Sequence, residues 1–254
     1  MENINSFNIK RIFQIIYRQL IMSYKPWIIG IGAAAGFLLG VYLLQVLTLQ
    51  GIFNLEAFTN LGFVILFAGG FIFTSNIFGE LQSPVKSHFY LTLPARIEEK
   101  LISSWLISSP LFVIVALAVM FLASLLISLV LVIFYEGSML LFNPFTRSAL
   151  TTVGVYLVLQ TIFLLGSVYF RKFNFLKTLL ALFVVYMIIV VWSMIMVFVI
   201  VRPQDMIFVG EGLNFEGIIM APDTFGSFMS ILFWYVMGPF FLIVSYIRLK
   251  ERQV

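Results

Sequence analysis

The residues of this chain that could do chemistry are few, and they gather in one place. Glu98 and Glu99 stand side by side between Arg96 and Lys100, and the single histidine, His88, lies shortly upstream. Adjacent carboxylates can serve a metal-dependent hydrolase, but such a site needs imidazoles as well, and one histidine cannot supply a pair. No GxSxG elbow, HExxH motif or GxxxxGK[ST] loop occurs, so neither a serine hydrolase, a zincin nor P-loop binding of ATP is legible. Absence of cysteine removes disulfides, thiol nucleophiles and thiolate metal sites. No residue is therefore assigned a catalytic, cofactor-binding or metal-ligating role, and the charged cluster reads either as an ordinary solvated loop leading into a Pro-initiated helix or as a rigid segment able to transmit force.

The elements that must position this cluster are membrane spans. Six charge-free apolar stretches lie near residues 26–50, 58–79, 105–134, 148–170, 178–201 and 227–247. About twenty apolar residues at helical rise cross the roughly 30 Å hydrocarbon core. Lipid offers free backbone groups no partner, so each stretch must close its hydrogen bonds as a helix. The chain is 62% hydrophobic and 10% charged over 254 residues, which leaves no stretch long enough for a separate soluble core. The expected fold is an all-α integral membrane protein, a single transmembrane domain over 1–254.

Charge then orients the spans. Lys10, Arg11, Arg18 and Lys25 precede the first, and Lys86, Arg96 and Lys100 follow the second. Arg171, Lys172 and Lys177 link the fourth and fifth, and Arg248, Lys250 and Arg252 close the chain. Only Arg147 and Arg202 fall on the alternate side, whereas Asp205, Glu211, Glu216 and Asp223 share the loop after span five. Basic residues mark cytoplasmic segments, so both termini are expected inside a cytoplasmic membrane and 202–226 outside. The net charge of +4 is thereby absorbed by membrane orientation and does not imply nucleic acid. The first two dozen residues lack an apolar core of signal length, so no cleavable signal is expected.

Residues 8–24 are expected to form a basic amphipathic helix in the plane of the interface. On a helical wheel Lys10, Arg11, Gln14, Arg18 and Lys25 share one arc, opposite Ile9, Ile12, Phe13, Ile16 and Leu20. Pro26 and Trp27 mark the corner into span one. Gly32, Gly36 and Gly40 recur at four-residue spacing within that span, a face for close helix approach either inside the chain or against a second copy. The uncharged run from Leu101 to Tyr135 is too long for one span, and Pro110 is expected to separate a short cytoplasmic helix from the span proper. No charge sits in the middle of any span. Gln45, Asn76, Gln160 and Ser193 are the polar exceptions, expected as packing contacts. The loop 202–226 carries apolar patches around Gly210, Gly212 and Gly217 and reads as a hairpin or a dipping segment.

Two resemblances enter here. Glu98-Glu99 resembles the start of the motif of membrane CAAX-type proteases, but the following Arg and the later histidines of that family are lacking. The loop containing Leu93, Pro94, Ala95, Arg96, Glu98 and Lys100 resembles that of ABC-2-type (type V) transporter permeases, in which an LP-[small]-R-x-E stretch follows span two. The layout is similar too: an elbow helix, six spans, both ends inside and a longer outer loop between spans five and six. The resemblance implies a short coupling helix between spans two and three, with Leu93, Pro94, Arg96, Glu98, Glu99 and Lys100 receiving force from a separate ATP-binding subunit. Glu98 and Glu99 near the positive end of a helix suit such a segment, and both are expected to be exposed. It implies further that ATP and Mg reside on that partner, and that two permease chains pair as a homo- or heterodimer. The expected activity is export of an apolar or amphipathic substrate by a chain that is not itself an enzyme. A non-transporting scaffold or sensor subunit is the alternative from another class, and an intramembrane enzyme the third.

Overall fold

The computed structural model describes residues 8–82, 95–170, 172–200 and 223–251. Among these, regular structure is entirely helical, and six helices are long and apolar enough to cross a membrane. Helix α1 (Ile9–Met22) precedes α2 (Tyr24–Thr48), α3 (Leu55–Ser75) and a short 3-10 turn, Gly79–Gln82. Helix α4 (Ile97–Tyr135) follows, then α5 (Arg147–Tyr169) and α6 (Asn174–Ile200). The last, α7, joins Asp223–Ile231, a π turn over Leu232–Met237, and Gly238–Glu251. The loop 202–226 lies almost wholly outside the described residues.

Helix α5 is the centre of the bundle. It packs on α3, α6 and α7, and Tyr156, Gln160 and Leu164 on it are fully buried. In lipid no hydrophobic drive pulls helices together, so close packing and interhelical hydrogen bonds must hold them. Small residues make the approaches: a methyl group at Gly70 would strike the Tyr156 ring and hydroxyl, and one at Gly166 would strike Thr178. Aromatic rings fill the rest. Phe71 stacks on Phe163 at 4.2 Å and on Tyr156 at 5.8 Å, while Tyr42, Phe53 and Phe58 form an edge-on trio. A second, smaller core of Phe78, Leu101, Leu164, Val168 and Leu249 closes the opposite end of the bundle.

That second core brings together the end of α3, the start of α4, and the ends of α5 and α7. Asn174 ties the corner by donating from Nδ2 to the carbonyls of Ser75 at 3.2 Å and Ser167 at 3.3 Å. The described basic segments of the sequence, before span one, after span two, after span four and at the chain end, thus share one end of the molecule. At the other end the Asn143-Pro144 turn takes its expected form, with Asn143 Oδ1 accepting from the Phe145 N–H at 2.9 Å. Gly51 sits there at φ +91, and any side chain on it would strike Tyr135.

Three expectations need correction. Pro110 does not divide a short helix from the third span: the helix runs unbroken from Ile97 to Tyr135. A π turn over Ile107–Leu111 absorbs the proline, because the widened turn tolerates its missing N–H. Consequently Arg96, Glu98, Glu99 and Lys100 do not belong to a separate coupling helix. They cap and open α4, while Leu93 and Pro94 lie outside the described residues. Finally, the basic arc of α1 does not simply face solvent. Ile12 and Ile15 are buried, Ile9, Phe13, Tyr17 and Ile21 point outward, and Arg11 and Arg18 turn toward carboxylates of the bundle.

Candidate functional site

The site is built where two helices begin. Asn8 caps α1, its Oδ1 accepting from the Lys10 N–H at 2.9 Å, and Arg96 occupies the capping position of α4. Both capping residues direct their own backbone N–H at one side chain. Glu99 Oε1 accepts from Asn8 at 2.9 Å and Glu99 Oε2 accepts from Arg96 at 2.9 Å. Arg11 Nη1 approaches the same carboxylate at 3.9 Å. Glu99 is completely buried, so its charge is held by two backbone donors, a guanidinium and the positive ends of two helices. A buried carboxylate without such partners would be strongly unfavourable.

The neighbouring Glu98 points elsewhere. Its Oε1 accepts from the Tyr246 hydroxyl of α7 at 3.1 Å, and its Oε2 meets Arg96 Nε at 3.4 Å. The tandem carboxylates therefore divide their work: Glu99 fastens α1 to α4, and Glu98 fastens α7 to α4. Further along α1, Arg18 pairs with Glu80 at 3.3 Å, and Gln19 Nε2 donates to Ser104 Oγ at 3.3 Å. Helix α1 is thus latched along its length to the bundle. Of the residues expected to be exposed on a coupling loop, Arg96 and Glu98 are partly open, whereas Glu99 and Lys100 are buried. The expectation of an exposed Glu99 is overturned, because its carboxylate is consumed in capping.

Above this joint the π turn opens a polar cluster. Widening of the ladder sends the Phe112 N–H to the carbonyls of Ile107 and Ser109, leaving Ser108 without its usual α-helical donor. The Tyr156 hydroxyl takes that place at 3.1 Å. Gln160 Nε2 donates to Ser108 Oγ at 2.6 Å, and Ser109 donates to Gln160 Oε1. All four side chains are buried, so the bonds replace water that is not available at this depth. Gln160 was legible as a packing residue. The serines were not, although Ser103, Ser104, Ser108 and Ser109 crowd one short stretch around Pro110. Asn76 and Ser193, by contrast, bond carbonyls of their own helices.

Gly32, Gly36 and Gly40 are exposed, and a Cβ built on any of them would meet nothing within 4 Å. No described residue therefore packs closely on this face. No cluster of three His, Cys, Asp or Glu side chains suited to a metal occurs among the described residues. No family model matches this sequence, and no curated protein or solved structure matches it either.

Proposed function

We propose that the chain is the membrane-spanning subunit of an ATP-binding-cassette transporter of the ABC-2 type, an exporter worked by a separate ATP-binding subunit. The observation that supports this reading most is the double cap at Glu99. One carboxylate locks the start of the elbow-like helix to the start of the third span, and Glu98 adds the sixth span to the same joint. A load applied to the segment before Arg96 is then carried into three helices together, which a pump driven from one face requires. The π turn and its Ser108–Tyr156–Gln160 cluster lie on the same helix, at a place where a helix can change its winding. In this reading the joint faces the cytoplasm, the partner carries ATP and Mg, and a second permease chain completes the pathway.

The test is reconstitution with an ATP-binding subunit encoded beside this chain. Stable co-purification and ATP hydrolysis that depends on the membrane subunit support the reading. Failure of the two to associate, with the chain folded, favours the scaffold or sensor alternative.

A further inference from the structure

Helices α2, α3 and α4 part on one side to leave a cavity of about 360 Å³. Its walls are apolar, with Ile31, Leu38, Leu66, Phe112 and Met120 among them. A volume in this range is that of a ligand pocket rather than a packing defect. Toward the Glu99 end the slot meets a second cavity of about 590 Å³, the two sharing Pro26, Trp27, Phe73 and Asn76 as walls. The second cavity is different in kind, because Arg18, Gln19, Ser23 and Glu80 line it. Together they form one amphipathic groove, apolar along the bundle and charged at its mouth.

The charges at the mouth select the occupant. Arg18 Nη2 meets Glu80 Oε2 at 3.3 Å, so a cation and an anion stand side by side, each partly exposed. Arg18 Nη1 and Gln19 Oε1 are buried and make no hydrogen bond among the described residues. A spare donor thus sits beside the positive group, and Gln19 adds a spare acceptor in the same wall. We propose that this groove binds one phospholipid with a phosphoethanolamine headgroup, an acyl chain in the slot and the headgroup at Arg18, Gln19 and Glu80. The phosphate accepts from Arg18, as guanidinium and phosphate geometry favours. The primary ammonium donates to Glu80 and to Gln19 Oε1. A phosphocholine head has the same charges but no N–H to donate, and a phosphoglycerol head carries no cation to place beside Glu80. This binding does not rest on the transporter reading and holds equally for a scaffold.

The full chain, purified and mixed with phosphatidylethanolamine, phosphatidylcholine or phosphatidylglycerol of matched acyl chains, is examined by native mass spectrometry. One phosphatidylethanolamine retained per chain is expected, favoured over the other two by about tenfold, the worth of one charge-assisted hydrogen bond. Glu80→Gln removes that preference, and Ala34→Trp, which fills the slot, lowers retention of all three lipids. Equal retention of the three by the unaltered protein overturns the proposal. So does a preference that survives both substitutions, which places the lipid elsewhere. A second measurement needs neither variant. With Trp105, Trp192 and Trp234 changed to Phe, Trp27 reports the groove directly. Phosphatidylethanolamine brominated on its acyl chain, present as a minor lipid, is expected to quench Trp27 far more than brominated phosphatidylcholine at the same fraction. Equal quenching again overturns the proposal.

Discussion

Glu99 accepts the backbone N–H of Asn8 across 91 positions of sequence, at 2.9 Å, while also accepting that of Arg96. One buried side chain therefore caps two helices that lie on either side of the first two spans. This separates the two adjacent glutamates in a way that can be measured. Glu99→Ala takes the acceptor from two part-buried N–H groups and the carboxylate from beside Arg11, at about 1 kcal/mol or more for each backbone bond. A clear fall in the thermal midpoint in detergent is expected, with faster hydrogen exchange across Ile9–Met22. Glu98→Ala, at a partly open position, is expected to cost about 1 kcal/mol or less. Equal effects at the two positions contradict the double cap.

The cluster on the π turn makes a coupled prediction. Tyr156→Phe leaves the Ser108 carbonyl without the ring hydroxyl, and Gln160→Leu removes one of the two bonds of Ser108 Oγ, which still donates to the Ser104 carbonyl, and takes the acceptor from Ser109. Interhelical hydrogen bonds in membranes average about 0.6 kcal/mol, with about 1.7 as an upper figure, so each change alone is modest. Both bonds meet at Ser108, and the double variant is expected to depart from the sum of the singles by at least about 0.5 kcal/mol. Additive losses in a double-mutant cycle of detergent unfolding count against a single network.

Much of the frame was legible because bilayer physics admits few solutions. Five of the six spans fall within a few residues of the apolar runs, whereas the third starts at Ile97 rather than near 105; α1 begins at Ile9, close to the expected 8–24. Less legible was anything decided by which atom bonds which. Pro110 reads as a break in sequence, but a π turn and the Tyr156 hydroxyl satisfy the local backbone, so the helix continues. Glu99 reads as a surface charge beside Glu98, and only the arrival of Asn8 from far along the chain buries it. Long-range partners of this kind leave no local periodicity to read.

Span one offers a test of association. Gly36→Leu meets open space, so the chain itself is expected to remain folded with an unchanged thermal midpoint. If a second copy covers this face, a single cysteine at Gly40 cross-links efficiently, and Gly36→Leu abolishes the cross-link by holding the backbones apart. Cross-links that form instead from α6, whose outer face is equally open, move the contact there.

The expected orientation, with both termini inside, rests on thirteen of fifteen basic residues falling on one set of segments. Single cysteines at Ser87 and Asn214, both outside the described residues, check it with an impermeant maleimide on intact cells. Labelling at Asn214 and protection at Ser87 are expected, and the reverse pattern inverts the molecule.

The proposed transporter role is tested most directly by ATP hydrolysis of an ATP-binding subunit reconstituted with the chain, compared with the same complex carrying Arg96→Glu. The Arg96 side chain is partly open and pairs with the partly open Glu98, so the variant is expected to fold and assemble with a loss of stability of about 1 kcal/mol or less. Hydrolysis stimulated by the unaltered chain is expected, with a loss of most of that stimulation in the variant. Hydrolysis indifferent to the membrane chain, or full stimulation by Arg96→Glu in an intact complex, contradicts the proposed role.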